Sequence, residues 1–490
     1  VIRDLASLSS QEVDVVVVGA GIHGAAAAWD ATQRGLSVAL LEREDFGAGV
    51  SWNSLKTIHG GMRYLQRGHL GRLRESARER RAFLKIAPAL VRPLSFVVPT
   101  YGHGMAGREA LAVALRLNDW LTRDRNRGLP AERHIPDGRT ISPSEALEMV
   151  PGLERRGLTG AALWSDAQAR STERLTLGFV LAAAAAGASV ANHAEVFEVL
   201  RARGRVVGVA LRDRLHGGTF EVKGRLVLNA AGPAADELMA RAGLRRGPAP
   251  PLLRARNLVL RHAPSLPHAV GARSRGRYLF LVPWQGRTLV GTDYEPAESL
   301  PNDPAGFLAE ADRAFPWASL AGAEVSLVHE GLVPGRGGAH GLATRPRLHD
   351  HESEDGLPGL VSLQGVKYTT ARSVAERAVD LVQRRLGRPA KPCRTESTVL
   401  AAARPLEGDL EEQTREAVRR EMALTLADAV LRRLDLGTGG RPGSEELSVV
   451  CTVMAGELGW DEARVQREQD ALSRAWPRPV DAREGSGDTC

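Results

Sequence analysis

Residues 13–42 read VDVVVVGAGIHGAAAAWDATQRGLSVALLE, and the fold class follows from this stretch. Residues 13–18 form a β-branched run broken only by Asp14, the pattern of a parallel strand buried on both faces. A glycine turn follows, Gly19-Ala20-Gly21-Ile22-His23-Gly24, and then an alanine-rich helical stretch over residues 25–34 that Gly35 ends as a C-cap. A second buried strand, residues 36–41, closes on Glu42. The unit is a βαβ of about 30 residues carrying a dinucleotide fingerprint. Gly19 permits the tight turn, Gly21 lets the backbone approach a pyrophosphate, and Gly24 lets helix and strand pack closely. The helix N-terminus offers unpaired N–H groups to the anion. Glu42, about 20 residues on, suits an unphosphorylated ribose and disfavours NADP.

The 490-residue chain is too long for one compact module and has the average globular balance of 43 % hydrophobic and 25 % charged residues. Collagen, coiled-coil and disordered classes are therefore excluded. The longest apolar run, residues 179–186, is far short of the ~20 residues of a membrane-spanning helix. The net charge of +7 is spread along the chain rather than gathered in a tract or interleaved with aromatics, so no nucleic-acid partner is expected. Only five basic residues are lysines (Lys56, Lys85, Lys223, Lys367, Lys391), which draws attention to Lys56 and Lys367. Cys393, Cys451 and Cys490 have no metal-ligand spacing; no metal is expected, and a reduced, cytoplasmic compartment is.

Outward from the fingerprint, residues 46–69 (FGAGVSWNSLKTIHGGMRYLQRGH) form a long glycine- and serine-rich stretch, which in a compact domain marks function. A charged helix is expected over residues 70–86. Residues 92–170 read as one helix, 109–122, among loops. A helix over 171–187 precedes strands at Val190, 194–200, 206–213 and 220–222. A buried strand at 226–228 runs into Asn229-Ala230-Ala231-Gly232-Pro233. Short strands alternating with turns over 252–333 predict an antiparallel sheet. A strand at 357–363 then leads through Gly365 to a helix over 367–386. Helices over 409–436, 445–458 and 461–475, divided by GTGGRPG at 437–443, predict a C-terminal helical cap.

The fingerprint, the NAAGP turn, Gly365-Val366-Lys367-Tyr368-Thr369-Thr370 and above all KTIHGGMRYLQ together resemble the FAD-dependent glycerol-3-phosphate dehydrogenase family, within the two-domain flavin oxidoreductases that include D-amino acid oxidase. REMALTLADAVLRR is similar to that family's cap helix. The resemblance implies an α/β fold: a Rossmann-like FAD-binding domain with a parallel sheet (1–90, 166–250, 341–390), an antiparallel-sheet substrate domain (91–165, 251–340) and a helical cap (391–490). FAD is the implied cofactor. Its implied contacts are Gly19, Gly21, Ile22, Gly24, Glu42, Arg43, Ser54, Lys56, His59, Gly60, Gly61, Val196, Ala231, Gly232, Gly365, Val366, Lys367, Tyr368 and Thr369. His59 and Arg63 flank a glycine pair that lets the backbone pass close to a flat ring, and in the family the matching residues face the substrate. Lys367 and Arg345 match residues of the substrate region, with Lys367 expected at a helix start.

Two departures concern the substrate end. Where the family has Lys-Gly-Ser-His, this chain has Arg254-Ala255-Arg256-Asn257, and asparagine cannot take a proton. Where the family has Gly-Val-Arg-Pro, this chain has Gly331-Leu332-Val333-Pro334, with Arg336 and Arg256 as candidate replacements. The implied reaction is oxidation of a secondary alcohol of a small anionic substrate, sn-glycerol 3-phosphate, with hydride transfer to flavin N5. His59 is the first candidate base, His329 the second and a solvent chain the third; Arg63, Arg345 and Lys367 hold the anion. The departures keep a second reading open, a flavin dehydrogenase or oxidase of another hydroxy acid or an amine, and behind it a non-catalytic flavoprotein. A quinone or another acceptor takes the electrons. Peripheral contact with the inner face of the cell membrane and a homodimer also stay open.

Overall fold

A computed structural model describes residues 1–65, 68–104, 107–244, 251–261, 266–298, 304–336 and 341–476. Gln66, Cys490 and the end of the expected cap, 477–490, lie outside the described residues.

The first strand, Glu12–Val18, is buried at all but its first residue. Its side chains divide by parity: Val15 and Val17 join the core on one face of the sheet, Val16 and Val18 the core on the other. Both faces are covered, which is why the run carries no polar alternation. The strand pairs in parallel with Val38–Leu41 on one side and Thr219–Asn229 on the other, and Thr219–Asn229 pairs in parallel with Leu360–Gln364. Arg347–Asp350 and Ser189–Ala191 complete the path at its two ends, and Ala194–Ala202 and Arg205–Asp213 extend from Thr219–Asn229 as an antiparallel meander. Helices Ile22–Gln33, Thr172–Ala185 and Ala371–Arg385 pack into the core on the Val15 and Val17 side.

A second sheet runs in the order Glu324–Pro334, Leu252–Arg261, Arg287–Pro296, Arg277–Trp284, Ala269–Ser274, Val91–Tyr101, Leu158–Ala169, Thr57–Ile58, and Arg139–Ile141 pairs beside it. Pairing is antiparallel except between Ala269–Ser274 and Val91–Tyr101. Val91–Tyr101 and Leu158–Ala169 fall in the stretch expected to be a helix among loops. Pro93 and Pro99 argue against a central strand, yet they share one parity, so their missing N–H groups fall on one side of the strand. The parallel neighbour covers only Phe96 and Val97. The expected helix over 109–122 is present as Arg108–Leu121.

Two helix boundaries differ from expectation. Helix Ala371–Arg385 begins four residues after Lys367, with Thr370 as N-cap. The single helix expected over 409–436 breaks at Met422, whose left-handed conformation (φ +56°) ends Leu410–Glu421; the chain restarts with a Thr425 capping box at Leu426–Asp428 and continues as a π-helical turn, Ala429–Arg433. The cap helices Ser444–Leu458 and Glu462–Ser473 share one core with the second sheet, a cluster that takes in Val450, Met454 and Leu472 of the cap and Phe96, Val282 and Trp284 of the sheet. Among the described residues no helix is long and apolar enough to cross a membrane.

Candidate active site

Three turns leave the C-terminal ends of neighbouring parallel strands, where open α/β sheets bind ligands. They touch one another so closely that only glycine fits. A Cβ on Gly19 (φ +95°) would stand 2.7 Å from the Ala230 carbonyl oxygen and 2.8 Å from Ala231 Cα; one on Gly24 would stand 1.9 Å from the Gly19 oxygen. A Cβ on Gly365 would stand 2.0 Å from His23 Nε2. The fingerprint, the NAAGP turn and the Gly365 loop are thus one junction. Glu42 closes it: its carboxylate accepts from the N–H groups of Ala20 (2.7 Å) and Glu44 (3.0 Å), and burial raises its pKa against these two hydrogen bonds. Gly21, at the N-cap, gives helix Ile22–Gln33 no side-chain cap, and Ser51 Oγ accepts from the Ile22 N–H at 2.9 Å. His23 Nε2 is buried with no hydrogen-bond partner, and burial lowers its pKa to about 4, so the ring is neutral. A glycine-only cradle, a helix start whose N-cap is glycine and an orphaned nitrogen fit the diphosphate and ring of a dinucleotide. Arg43 is exposed beyond Glu42. Val196 lies two residues beyond Ala194, whose N–H bonds the Glu42 carbonyl.

The second half of the site is built by strand register. Thr57 and Ile58 pair with Gln168 and Ala167, which brings His59 opposite Asp166. His59 Nδ1 is 3.2 Å from Asp166 Oδ2, and Asp166 Oδ1 accepts from the Gly60 N–H (2.6 Å) and from Arg80 Nη1 (2.5 Å). Burial alone would raise the Asp166 pKa; the His59 hydrogen bond and the Arg80 charge overcome that and hold it at about 2. The carboxylate is therefore ionised, which favours the His59 tautomer with its proton on Nδ1. His59 Nε2 makes no hydrogen bond among the described residues, and its side chain is 48 % exposed. A Cβ on Gly60 would press on the Arg80–Asp166 pair, 2.2 Å from Arg80 Nη1 and 2.8 Å from Asp166 Oδ1, and Gly61 turns at φ +90°. Tyr64, in the next turn of helix, receives Lys367 Nζ 4.1 Å above its ring. Lys367 thus reaches the His59 segment from the Gly365 loop. Arg63 is exposed, and its charge acts on Tyr294 of the second sheet. Arg345 is exposed and makes no ion pair with the described residues.

Five expected roles change. The Lys56 ammonium is sealed in a buried ion pair with Glu173 (2.5 Å), with further bonds to the Trp52 carbonyl and Thr172 Oγ1, so it is not a free cation for a cofactor. His329 is fully buried: Nδ1 is 3.2 Å from the Ser54 carbonyl and Nε2 is 3.2 Å from the Thr438 carbonyl. Burial and the nearby Lys56 charge lower its pKa to about 4, so it is a neutral packing residue between the 54 loop and the cap, not a base. The Tyr368 hydroxyl turns into the core, where it meets Thr176 Oγ1 at 3.0 Å and donates to the Thr172 carbonyl. Lys367 lies in the loop before the helix rather than at its start, with Val366 and Thr369 in the same loop. Arg256 is taken by Asp293 and Glu295, which removes it as a replacement phosphate clamp. Asp166, Arg80, His23 and Ser51 were not singled out from sequence. Asp166 carried no signal, since it lies 107 residues from His59 in a strand that reads as loop.

Sheet order, glycine junction and the His59 pocket define a two-domain flavin oxidoreductase. The FAD dependent oxidoreductase family model matches residues 14–381, and a model of the C-terminal domain of alpha-glycerophosphate oxidase matches 389–465. The chain is 33 % identical over 427 residues to a glycerol-3-phosphate dehydrogenase of Synechocystis sp., covering 82 % of this chain and 75 % of that one. It is 32 % identical to glycerol-3-phosphate dehydrogenase 2 of Mycobacterium tuberculosis, covering 81 % and 67 %. A mitochondrial glycerol-3-phosphate dehydrogenase of Arabidopsis thaliana is longer, and the chain spans 61 % of it. In fold it is similar to the glycerol-3-phosphate dehydrogenase of Bacillus halodurans complexed with FAD, with a TM-score of 0.73, 24 % identity and 96 % of each chain covered. The chain belongs to the FAD-dependent glycerol-3-phosphate dehydrogenase family. It is an oxidoreductase with FAD as cofactor, and it uses a reducing substrate and an electron acceptor.

Proposed function

We propose that this chain oxidises the secondary hydroxyl of sn-glycerol 3-phosphate to the ketone of dihydroxyacetone phosphate, and that His59 is the base. The observation that carries the proposal is the Asp166–His59 pair: a buried, ionised carboxylate holds one imidazole nitrogen and leaves the other unpaired beside a glycine turn. FAD, when bound, supplies the hydride acceptor. His59 Nε2 takes the hydroxyl proton, and Asp166 stabilises the imidazolium that results. Arg63, Lys367 and Arg345 hold the phosphate. Arg63 and Lys367 are supported by Tyr64, which Arg63 precedes in the same helix and over whose ring Lys367 Nζ stands. The Gly60 and Gly61 backbone would lie beside the bound flavin, and Gly19, Gly21, Ile22, Gly24, Ala231, Gly232 and Gly365 would supply the cradle. A quinone or a similar acceptor then takes the electrons, a reading supported by relatives that are named dehydrogenases.

One observation favours a second reading. Arg256, a candidate phosphate clamp, is held by Asp293 and Glu295, and a singly charged hydroxy acid or an amino acid needs fewer cations than a doubly charged phosphate ester. An anaerobic panel separates the two. Bleaching of the flavin by glycerol 3-phosphate, and not by hydroxy acids or amino acids, is the expected result. Bleaching by a hydroxy acid or an amine alone establishes the second reading, and no bleaching by any of them overturns both.

A further inference from the structure

The outer hairpin of the first sheet pairs Arg347–Asp350 with Leu360–Gln364, and the short helix His351–Asp355 lies between the two strands. His349 and His351 are both buried here, with ring centroids 4.3 Å apart. One nitrogen of each turns to the same oxygen: His349 Nε2 is 2.8 Å and His351 Nδ1 is 2.6 Å from Asp355 Oδ2. Their far nitrogens also face oxygen atoms. His351 Nε2 is 2.9 Å from Ser362 Oγ. His349 Nδ1 is 2.8 Å from Glu354 Oε2 but off the line of a hydrogen bond, so this buried nitrogen is left without one.

A neutral imidazole carries a single N–H. His349 lies between two carboxylates, so either tautomer sets a lone pair against a carboxylate oxygen. No lysine or arginine among the described residues pairs with Glu354 or Asp355. Arg385, at the end of helix Ala371–Arg385, is taken by Asp350 and Glu352. The cluster therefore turns one nitrogen of each histidine onto a single carboxylate oxygen, with a second carboxylate beside it and no lysine or arginine paired to either among the described residues.

We propose that His349, His351 and Asp355 bind one divalent transition-metal ion of the zinc type. The three donor atoms lie within 4.8 Å of one another, so small side-chain rotations bring them to bonds of about 2.0–2.2 Å. Two imidazoles and one carboxylate suit zinc better than magnesium or calcium, which take oxygen ligands. Glu354 and Ser362 fall on the far nitrogens, where ligating histidines find the hydrogen-bond partners that fix their tautomer. Solvent takes the fourth position, because Asp355 lies on the exposed side. The role of the ion is structural. Ser362 is the strand partner of Asn229, which opens the NAAGP turn, and lies three residues before Gly365, so the ion ties together strand ends that carry two of the three cofactor turns. The spacing, His at i and i+2 with Asp at i+6, is not a common metal signature and gave no signal in the sequence.

The test uses the flavin-loaded protein purified without a histidine tag, stripped with a chelator and titrated with Zn2+ or Co2+. Expected is saturable uptake of one equivalent per chain by elemental analysis. Co2+ should add absorption bands of four-coordinate cobalt at wavelengths longer than the flavin bands, and Zn2+ should raise Tm. His349→Gln and Asp355→Asn should weaken uptake at least tenfold with flavin content unchanged. No saturable uptake by the wild-type protein overturns the proposal, whatever the variants do, and so does equal uptake by both variants. The result is independent of which substrate the enzyme oxidises.

Discussion

His59 is suited to proton transfer because its other nitrogen is committed to Asp166. Replacing Asp166 by Asn removes the charge that stabilises an imidazolium and frees the ring to take the wrong tautomer. Flavin reduction should then slow about 10²-fold, with little change in the substrate concentration for half-maximal rate. A stopped-flow rate close to that of the wild type would remove Asp166 from the mechanism. A second residue tests the electrostatics of the core. Burial and the adjacent Glu173 charge raise the pKa of Asp435 to about 6, against the hydrogen bond from Ser171 Oγ. A carboxyl whose folded pKa lies above its unfolded value of 3.8 disfavours folding at pH above about 6, and the cost fades as pH falls toward 4. Asp435→Asn keeps the shape and tolerates the left-handed backbone at this position (φ +55°). It should stabilise the protein at pH 8 by on the order of 1–2 kcal/mol and by much less at pH 4, seen as a Tm gain that shrinks on acidification. At this scale the sequence showed His59 and Arg63, since they flank a glycine pair. It could not show that Lys56 is spent on Glu173 or Arg256 on Asp293, because ion-pair partners far apart in the chain leave no local pattern.

Elements with one dominant physical cause were legible. The β-branched run, the glycine turn and the alanine-rich helix each state their burial on both faces in composition alone, and Glu42 falls where the fingerprint puts it. Gly24 tests that logic directly. An alanine there brings Cβ within 1.9 Å of the Gly19 oxygen, so the helix must shift away from the strand and the cradle opens. Gly24→Ala should purify with little flavin and bind added FAD at least tenfold more weakly, a change of about 1.4 kcal/mol. Unchanged flavin content would show that close helix packing is not what shapes the cradle. Elements whose identity depends on neighbours were not legible. Val91–Tyr101 carries two prolines and Leu158–Ala169 is rich in alanine and polar residues, yet long antiparallel pairing holds them together. The start of helix Ala371–Arg385 was misplaced because the loop 365–370 is shaped by the close approach of Gly365 to His23 and by the Tyr368 anchor rather than by helix propensity. The break at Met422 is likewise imposed by packing.

Across the whole molecule, buried charge locks the cap to the catalytic body. Asp45, in the loop after Glu42, takes Arg432 Nε (2.5 Å), Arg433 Nη1 (2.7 Å) and Arg433 Nη2 (2.8 Å), while Arg174 holds Glu421 through two bonds of 2.6 and 2.9 Å. Burial would raise the Asp45 pKa, but the two guanidinium charges bring it well below the usual carboxylate range. Arg433→Met leaves that carboxylate underpaired and should cost about 3–5 kcal/mol. The expected signs are a lower Tm and faster proteolysis between residues 389 and 409; an unchanged Tm would mean the cap is held by its apolar core alone. The order of layers was legible from composition and turn spacing, whereas this ion network was not. One arrangement is central to the proposed function, a proton-accepting His59 at the mouth of an FAD cradle. Its most direct test is single-turnover reduction of the bound flavin by glycerol 3-phosphate without oxygen, in the wild type and in His59→Asn. Rapid bleaching is expected in the wild type, with a rate about 10²-fold lower in the variant at equal flavin content; equal rates in the two proteins, or a wild-type flavin that stays oxidised, would contradict it.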